Sequence, residues 1–114
     1  MLSKRGNGNL QVIQEVAQQL WNSNVQIGNV EIIEAPFDLF NLYLIVYGNR
    51  EVRITYDRSI VGLEVKLGNE YVNIRRIMKD DFVIGFESSK RESLLHNMKI
   101  LDSLLCFLNG KREF

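Results

Sequence analysis

One histidine, His96, and one cysteine, Cys106, limit the catalytic chemistry open to this chain. A Cys-His dyad needs contact, yet these two share one helical segment and stand roughly 15 Å apart along its axis. Ser93 and His96 are spaced to be neighbours on a helix surface. A Ser-His site also needs an orienting acid and an oxyanion hole, and no segment supplies them. The pair reads as an exposed histidine beside a serine. One His and one Cys also fall short of the clusters that zinc takes, and Asp80-Asp81 reads as a solvated turn with no partner at ligand spacing. The Gly-Asn pairs at 28, 48 and 68 lack the following helix and lysine of a phosphate cradle, so they are turn chemistry. What remains is Asp57-Arg58, an acid and a base side by side at the end of the alternating stretch VRITYDRS, and the doublet Arg75-Arg76 in NIRRI.

The composition narrows the classes further. A chain of 114 residues, 46% hydrophobic and 25% charged, is one domain's worth of ordinary globular protein. Fourteen basic residues balance fourteen acidic ones. The overall positive field that draws proteins to nucleic acids or anionic membranes is therefore missing. No apolar stretch has the length of a signal peptide or a membrane span, and a single cysteine fits a reducing compartment. The expectation is a cytoplasmic protein with no nucleic-acid or membrane partner and no cofactor.

Elements must position the surviving candidates. Residues 1–8, rich in Gly and Asn, read as a flexible head. Leu10, Ile13, Val16, Ala17 and Leu20, with Trp21 beside them, then mark one face of an amphipathic helix. The segment VQIGNVEIIEA reads either as one strand or as a short hairpin around Gly28-Asn29, stopped by Pro36. Two Gly-Asn turns, at 48–49 and 68–69, punctuate an antiparallel meander.

A two-residue loop at Gly48-Asn49 sets Ile45 opposite Val52 and Tyr43 opposite Ile54. A turn at Arg58-Ser59 sets Val52 against Val65, Ile54 against Leu63 and Tyr56 against Val61; the last turn sets Val65 against Val72 and Leu63 against Ile74. The opposite face then pairs Arg53 with Glu64 and Glu51 with Lys66, two complementary charge pairs in one register. The same layout leaves Leu42, Leu44 and Val46 on the charged face, where either residues 25–34 cover them or they form an exposed apolar stripe. The stretch FVIGF, residues 82–86, is a candidate sixth strand after a turn at Lys79-Asp80-Asp81.

The last element is a helix opened by a capping-box spacing, Ser89 to Glu92, and closed by Gly110 before Lys111 and Arg112. Its apolar side chains, from Leu94 to Leu108, span an arc of roughly 240°, against the ~100° stripe of a surface helix. Either it lies between the sheet and the first helix, or part of it meets a second subunit.

The segment EVRITYDRSIVGLEVKLGNEYVNIRRI, residues 51–77, with Asp57-Arg58 between two alternating strands, resembles small bacterial immunity-type proteins associated with polymorphic toxins. Ser59 stands where that pattern often has Gly. The resemblance implies a non-enzymatic cytosolic protein that binds and neutralises a partner toxin, and it carries over no binding residues.

The expected architecture is an α+β two-layer sandwich forming a single domain over residues 1–114. It has an N-terminal helix, a meander of about five or six strands and a long C-terminal helix packed on the sheet. The expected function is protein binding, through Arg53, Asp57, Arg58, Glu64, Tyr71, Asn73 and Arg75. There Arg can make bidentate contacts and Tyr can supply area at low entropy cost. The alternative is a homodimeric accessory or chaperone-like protein whose C-terminal helix is the interface, with a small-molecule binder as a third reading.

Overall fold

Residues 1–58, 60–78 and 90–110 are described by the computed structural model of the chain. The periodic apolar face of the first segment folds as helix α1, Lys4–Trp21, which buries Ile13, Val16, Ala17 and Trp21. The helix takes in most of the head that the Gly and Asn content marks as flexible. Ser3 caps it, its hydroxyl accepting from the Gly6 backbone N–H at 3.0 Å. Asp38 completes the end by accepting from both the backbone N–H, at 2.8 Å, and the hydroxyl of Ser3. Gly6 leaves room for this arrangement, because a Cβ at that position would meet the Asp38 carboxyl group at 2.5 Å and push it aside. Leu2, 6% exposed, joins the core and anchors the same end.

Among the described residues, five antiparallel strands follow in sheet order β1-β2-β3-β4-β5: β1 Val25–Glu34, β2 Leu39–Val46, β3 Arg50–Asp57, β4 Ile60–Leu67 and β5 Glu70–Asn73. The second helix, α2, spans Arg91–Leu108. The architecture is the expected α+β, with both helices against one face of the sheet. Residues 25–34 form one strand, and Gly28-Asn29 is not a turn but a bulge between Ile27 and Val30.

The β3-β4 register is the one that the charge pairs indicate, with Arg53 facing Glu64 and Val52 facing Val65. The β2-β3 register differs by one residue. Leu44, not Ile45, faces Val52, and Leu42, not Tyr43, faces Ile54. The cause is the loop: Val46 pairs with Arg50, so Tyr47 joins Gly48 and Asn49 in a three-residue turn, with positive φ at Tyr47 and Gly48. Because strand side chains alternate, one added residue exchanges the faces. Phe40, Leu42, Leu44 and Val46 therefore lie in the core, each 2% exposed or less, and Leu42, Leu44 and Val46 do not form a stripe among the charges. At the far end β5 stops at Asn73, and Ile74 enters the core from a 3-10 turn, Ile74–Arg76, rather than from a strand facing Leu63.

The helix α2 spends its wide apolar arc inside the chain: Leu94, Met98, Leu101, Leu104 and Leu105 are buried against α1 and the sheet. It starts one residue later than the capping-box spacing indicates. Lys90 is the N-cap and makes no side-chain cap bond. Ser89, the turn at Lys79-Asp80-Asp81, the candidate strand 82–86 and residues Lys111 and Arg112 lie outside the described residues. At the C-terminus of α2 Arg50 reaches over from β3, donating to Leu108 O at 2.7 Å, one of the backbone carbonyls a helix end leaves open, and to the Asn109 side-chain Oδ1 at 2.7 Å. Asp102, midway along α2, accepts from Trp21 Nε1 at 2.8 Å and from the Tyr47 hydroxyl at 2.6 Å, joining both helices to the β2-β3 turn.

Candidate functional site

With the helices on one side, β2 to β5 turn their alternate residues to the other: Asn41, Tyr43 and Ile45, then Glu51, Arg53 and Thr55, then Glu64 and Lys66, then Tyr71 and Asn73. Burial on this face is intermediate rather than complete for Tyr43, Arg53, Glu64, Lys66 and Tyr71.

Its centre is Arg53. The Nε donates to Glu64 Oε1 on the neighbouring strand, with side chains 28% and 17% exposed. The guanidinium carbon lies 4.5 Å from the centroid of the Tyr71 ring. Tyr43, opposite Arg53 on β2, meets Tyr71 edge-on with centroids 6.0 Å apart. Lys66 stands 6.0 Å from the Tyr71 centroid and 3.5 Å from a Glu51 oxygen. The Tyr43 hydroxyl donates to Glu31 Oε1 at 2.8 Å, and Asn41 Nδ2 donates to the same oxygen at 3.1 Å.

The electrostatics follow these contacts. The bond that Arg53 donates to Glu64 raises the guanidinium's already high affinity for its proton. Burial, then the Glu51 carboxylate, raises the Tyr71 phenol above its ordinary range. The Tyr43 hydroxyl, then Asn41, holds Glu31 below the usual carboxylate range. Among the described residues, Glu31, Glu51, Arg53, Glu64 and Lys66 on this face each have an opposite charge or an aromatic side chain as neighbour.

Of the seven residues singled out from the sequence, the structure gathers Arg53, Glu64 and Tyr71, with Asn73 at the margin opposite Glu64. Asn73 is turned to local work, its Oδ1 accepting from the Arg75 backbone N–H at 2.9 Å. Arg75 leaves the sheet in the 3-10 turn. Asp57 and Arg58 lie four and five residues along β3 from Arg53, roughly 13 to 17 Å away. They pair with each other at 3.0 Å, with side chains 49% and 73% exposed. Arg58 instead borders a separate cleft of about 300 Å³ with Arg5, Pro36, Phe37, Asp38 and Tyr56.

Tyr43 is the residue that sequence reasoning missed, because the assumed two-residue turn put it in the core. The signal available was Asn41: keeping Asn41 out of the core forces Tyr43 out with it. A further hollow, about 250 Å³, opens beside Tyr43 and Tyr71 where the β1 bulge draws Gly28 and Asn29 out of the ladder.

Among the described residues, no group of three or more His, Cys, Asp or Glu is placed to hold a metal ion. No described helix is long and apolar enough to cross a membrane. No protein-family model, curated protein or solved structure matches the chain.

Proposed function

We propose that this chain is a non-enzymatic protein-binding domain, and that the face centred on Arg53, Tyr71 and Tyr43 is its binding surface. The carrying observation is the network itself. A guanidinium and two tyrosine rings are held in fixed mutual positions on a sheet face that no described helix covers. Arg and Tyr are the residues that most often anchor protein interfaces, and fixed side chains lose little entropy on binding. The concrete reading is a cytoplasmic immunity-type protein that neutralises a partner toxin, as the resemblance of residues 51–77 implies.

The competing reading is a homodimer through α2. Phe107, 55% exposed near the end of that helix, favours it. Against it, most of the apolar arc on α2 is already buried within the chain.

The test is affinity capture from the native cell with the chain as bait. One stoichiometric protein is expected, and its retention should be lost on Ile45→Glu. That substitution alters a residue 37% exposed on the proposed surface and should leave the thermal midpoint within a few degrees. Recovery of no such protein would overturn the reading. A dimer in solution that Phe107→Asp dissociates would favour α2 as the interface instead.

A further inference from the structure

We infer that the hollow beside Tyr43 and Tyr71 receives a single arginine side chain of the partner protein. This deepens the protein-binding reading and rests on it. The hollow is built by the backbone: between Ile27 and Val30 the ladder skips Gly28 and Asn29. Gly28 packs so closely that a Cβ there would come within 2.9 Å of the Tyr43 carbonyl oxygen.

Its lining fixes the chemistry of the guest. Among the lining residues, Glu51 carries the one formal charge; Tyr43 and Tyr71 add aromatic rings, and Gln26 and Asn29 add amide oxygens that can accept. Arg53 and Lys66 approach Tyr71 but do not line the space. A carboxylate attracts a cation and repels an anion, and the faces of tyrosine rings add to the attraction. At about 250 Å³ the space is smaller than the ~300–1,000 Å³ of small-molecule sites, which suits one side chain better than a free metabolite.

Arginine fits better than lysine. Its planar guanidinium can lie against a tyrosine ring while meeting the carboxylate with two N–H groups, and further N–H donors remain for the amide oxygens. The existing Glu51 to Lys66 contact does not bar this, because at 3.5 Å and with the Glu51 side chain 51% exposed it is a loose pair that can open.

Titration of the 15N-labelled chain with N-acetyl-arginine amide, followed by amide chemical shifts, tests the assignment. Saturable shifts are expected at Gly28, Asn29, Tyr43 and Tyr71. They should be absent with the uncharged isostere N-acetyl-citrulline amide. Affinity should fall roughly tenfold in Glu51→Gln, the loss of one charge-assisted contact. Gln26→Lys, which sets a resident cation at the rim, should block the shifts as well. No saturable shifts with the arginine amide, equal shifts with the citrulline amide, or an affinity that Glu51→Gln leaves unchanged would overturn the inference. If a captured partner is retained by Glu51→Gln while the titration fails, protein binding stands and the arginine assignment falls. A positive titration with no partner recovered would overturn the assignment to a protein side chain.

Discussion

Arg53 and Tyr71 sit on strands that are not neighbours, yet the guanidinium carbon lies 4.5 Å from the ring centroid, reaching over β4 at Glu64. One side chain thus ties three strands on the exposed face. Tyr71→Leu should cost about 0.5–1 kcal/mol, the value of a partly exposed cation-aromatic contact, and Glu64→Gln about 1 kcal/mol. The double variant should cost less than the sum, because both act through Arg53. Chemical denaturation of the four members of the cycle checks this; strict additivity would show that the two contacts are independent.

The C-terminus of α2 depends on a residue far away in sequence. Arg50→Ala removes donors from Leu108 O and Asn109 Oδ1 and should cost about 1–2 kcal/mol. Arg50→Lys should recover only part of that, since an ammonium cannot span both acceptors in the same fork. Amide hydrogen exchange of the last turn of α2 should speed up in both variants, most in the alanine.

Acid should weaken the fold through two carboxylates, Asp38 at the start of α1 and Glu15 between α1 and α2. The Ser3 hydroxyl, then its backbone N–H, holds Asp38 below the usual carboxylate range. Arg91, then Gln11, does the same for Glu15. A carboxylate whose folded value is depressed contributes stability above its unfolded value, near 4, that is lost as pH falls below it. The urea midpoint should therefore hold steady from neutrality to about pH 5 and drop below about pH 4. Asp38→Asn should start lower at neutral pH and show a shallower decline.

Alkali should act through Tyr47. Burial first, then its bonds to Asp102 and Cys106, pushes this phenol far above its ordinary value. The unfolded chain releases the proton near pH 10 while the folded chain keeps it, so stability is lost as pH rises above about 10. In an absorbance titration Tyr47 should ionise only as the fold is lost. Tyr47→Phe should remove that step, with lower stability at neutral pH.

The legible and illegible parts of the molecule separate on physical grounds. The β3-β4 register was readable because Arg53 with Glu64 and Glu51 with Lys66 give opposite charges in one alignment only. The β2-β3 register was not, because apolar residues occupy both parities of residues 42–46 and hydropathy cannot choose between them. Loop length decides, and Tyr47 is held in the loop by distant contacts, its N–H on Asn24 O at 2.7 Å and its hydroxyl on Asp102. The same holds for the helical head: its Gly and Asn content argues against a helix, and Asp38, 35 residues from Ser3, supplies the missing end contacts. At the candidate site Arg53, Glu64 and Tyr71 were in reach of pattern reasoning, whereas Tyr43 and the hollow depend on the loop and the bulge.

Trp21 is the chain's one tryptophan, 2% exposed, with its indole N–H on the carboxylate that also accepts from Tyr47. The molecule's indole emission therefore originates where α1, α2 and the β2-β3 turn converge. A change in its colour registers parting of that junction and is blind to rearrangement on the opposite face of the sheet. The protein thus carries an internal optical gauge of helix docking, in which a partner's arrival on the Arg53 surface should leave the signal still.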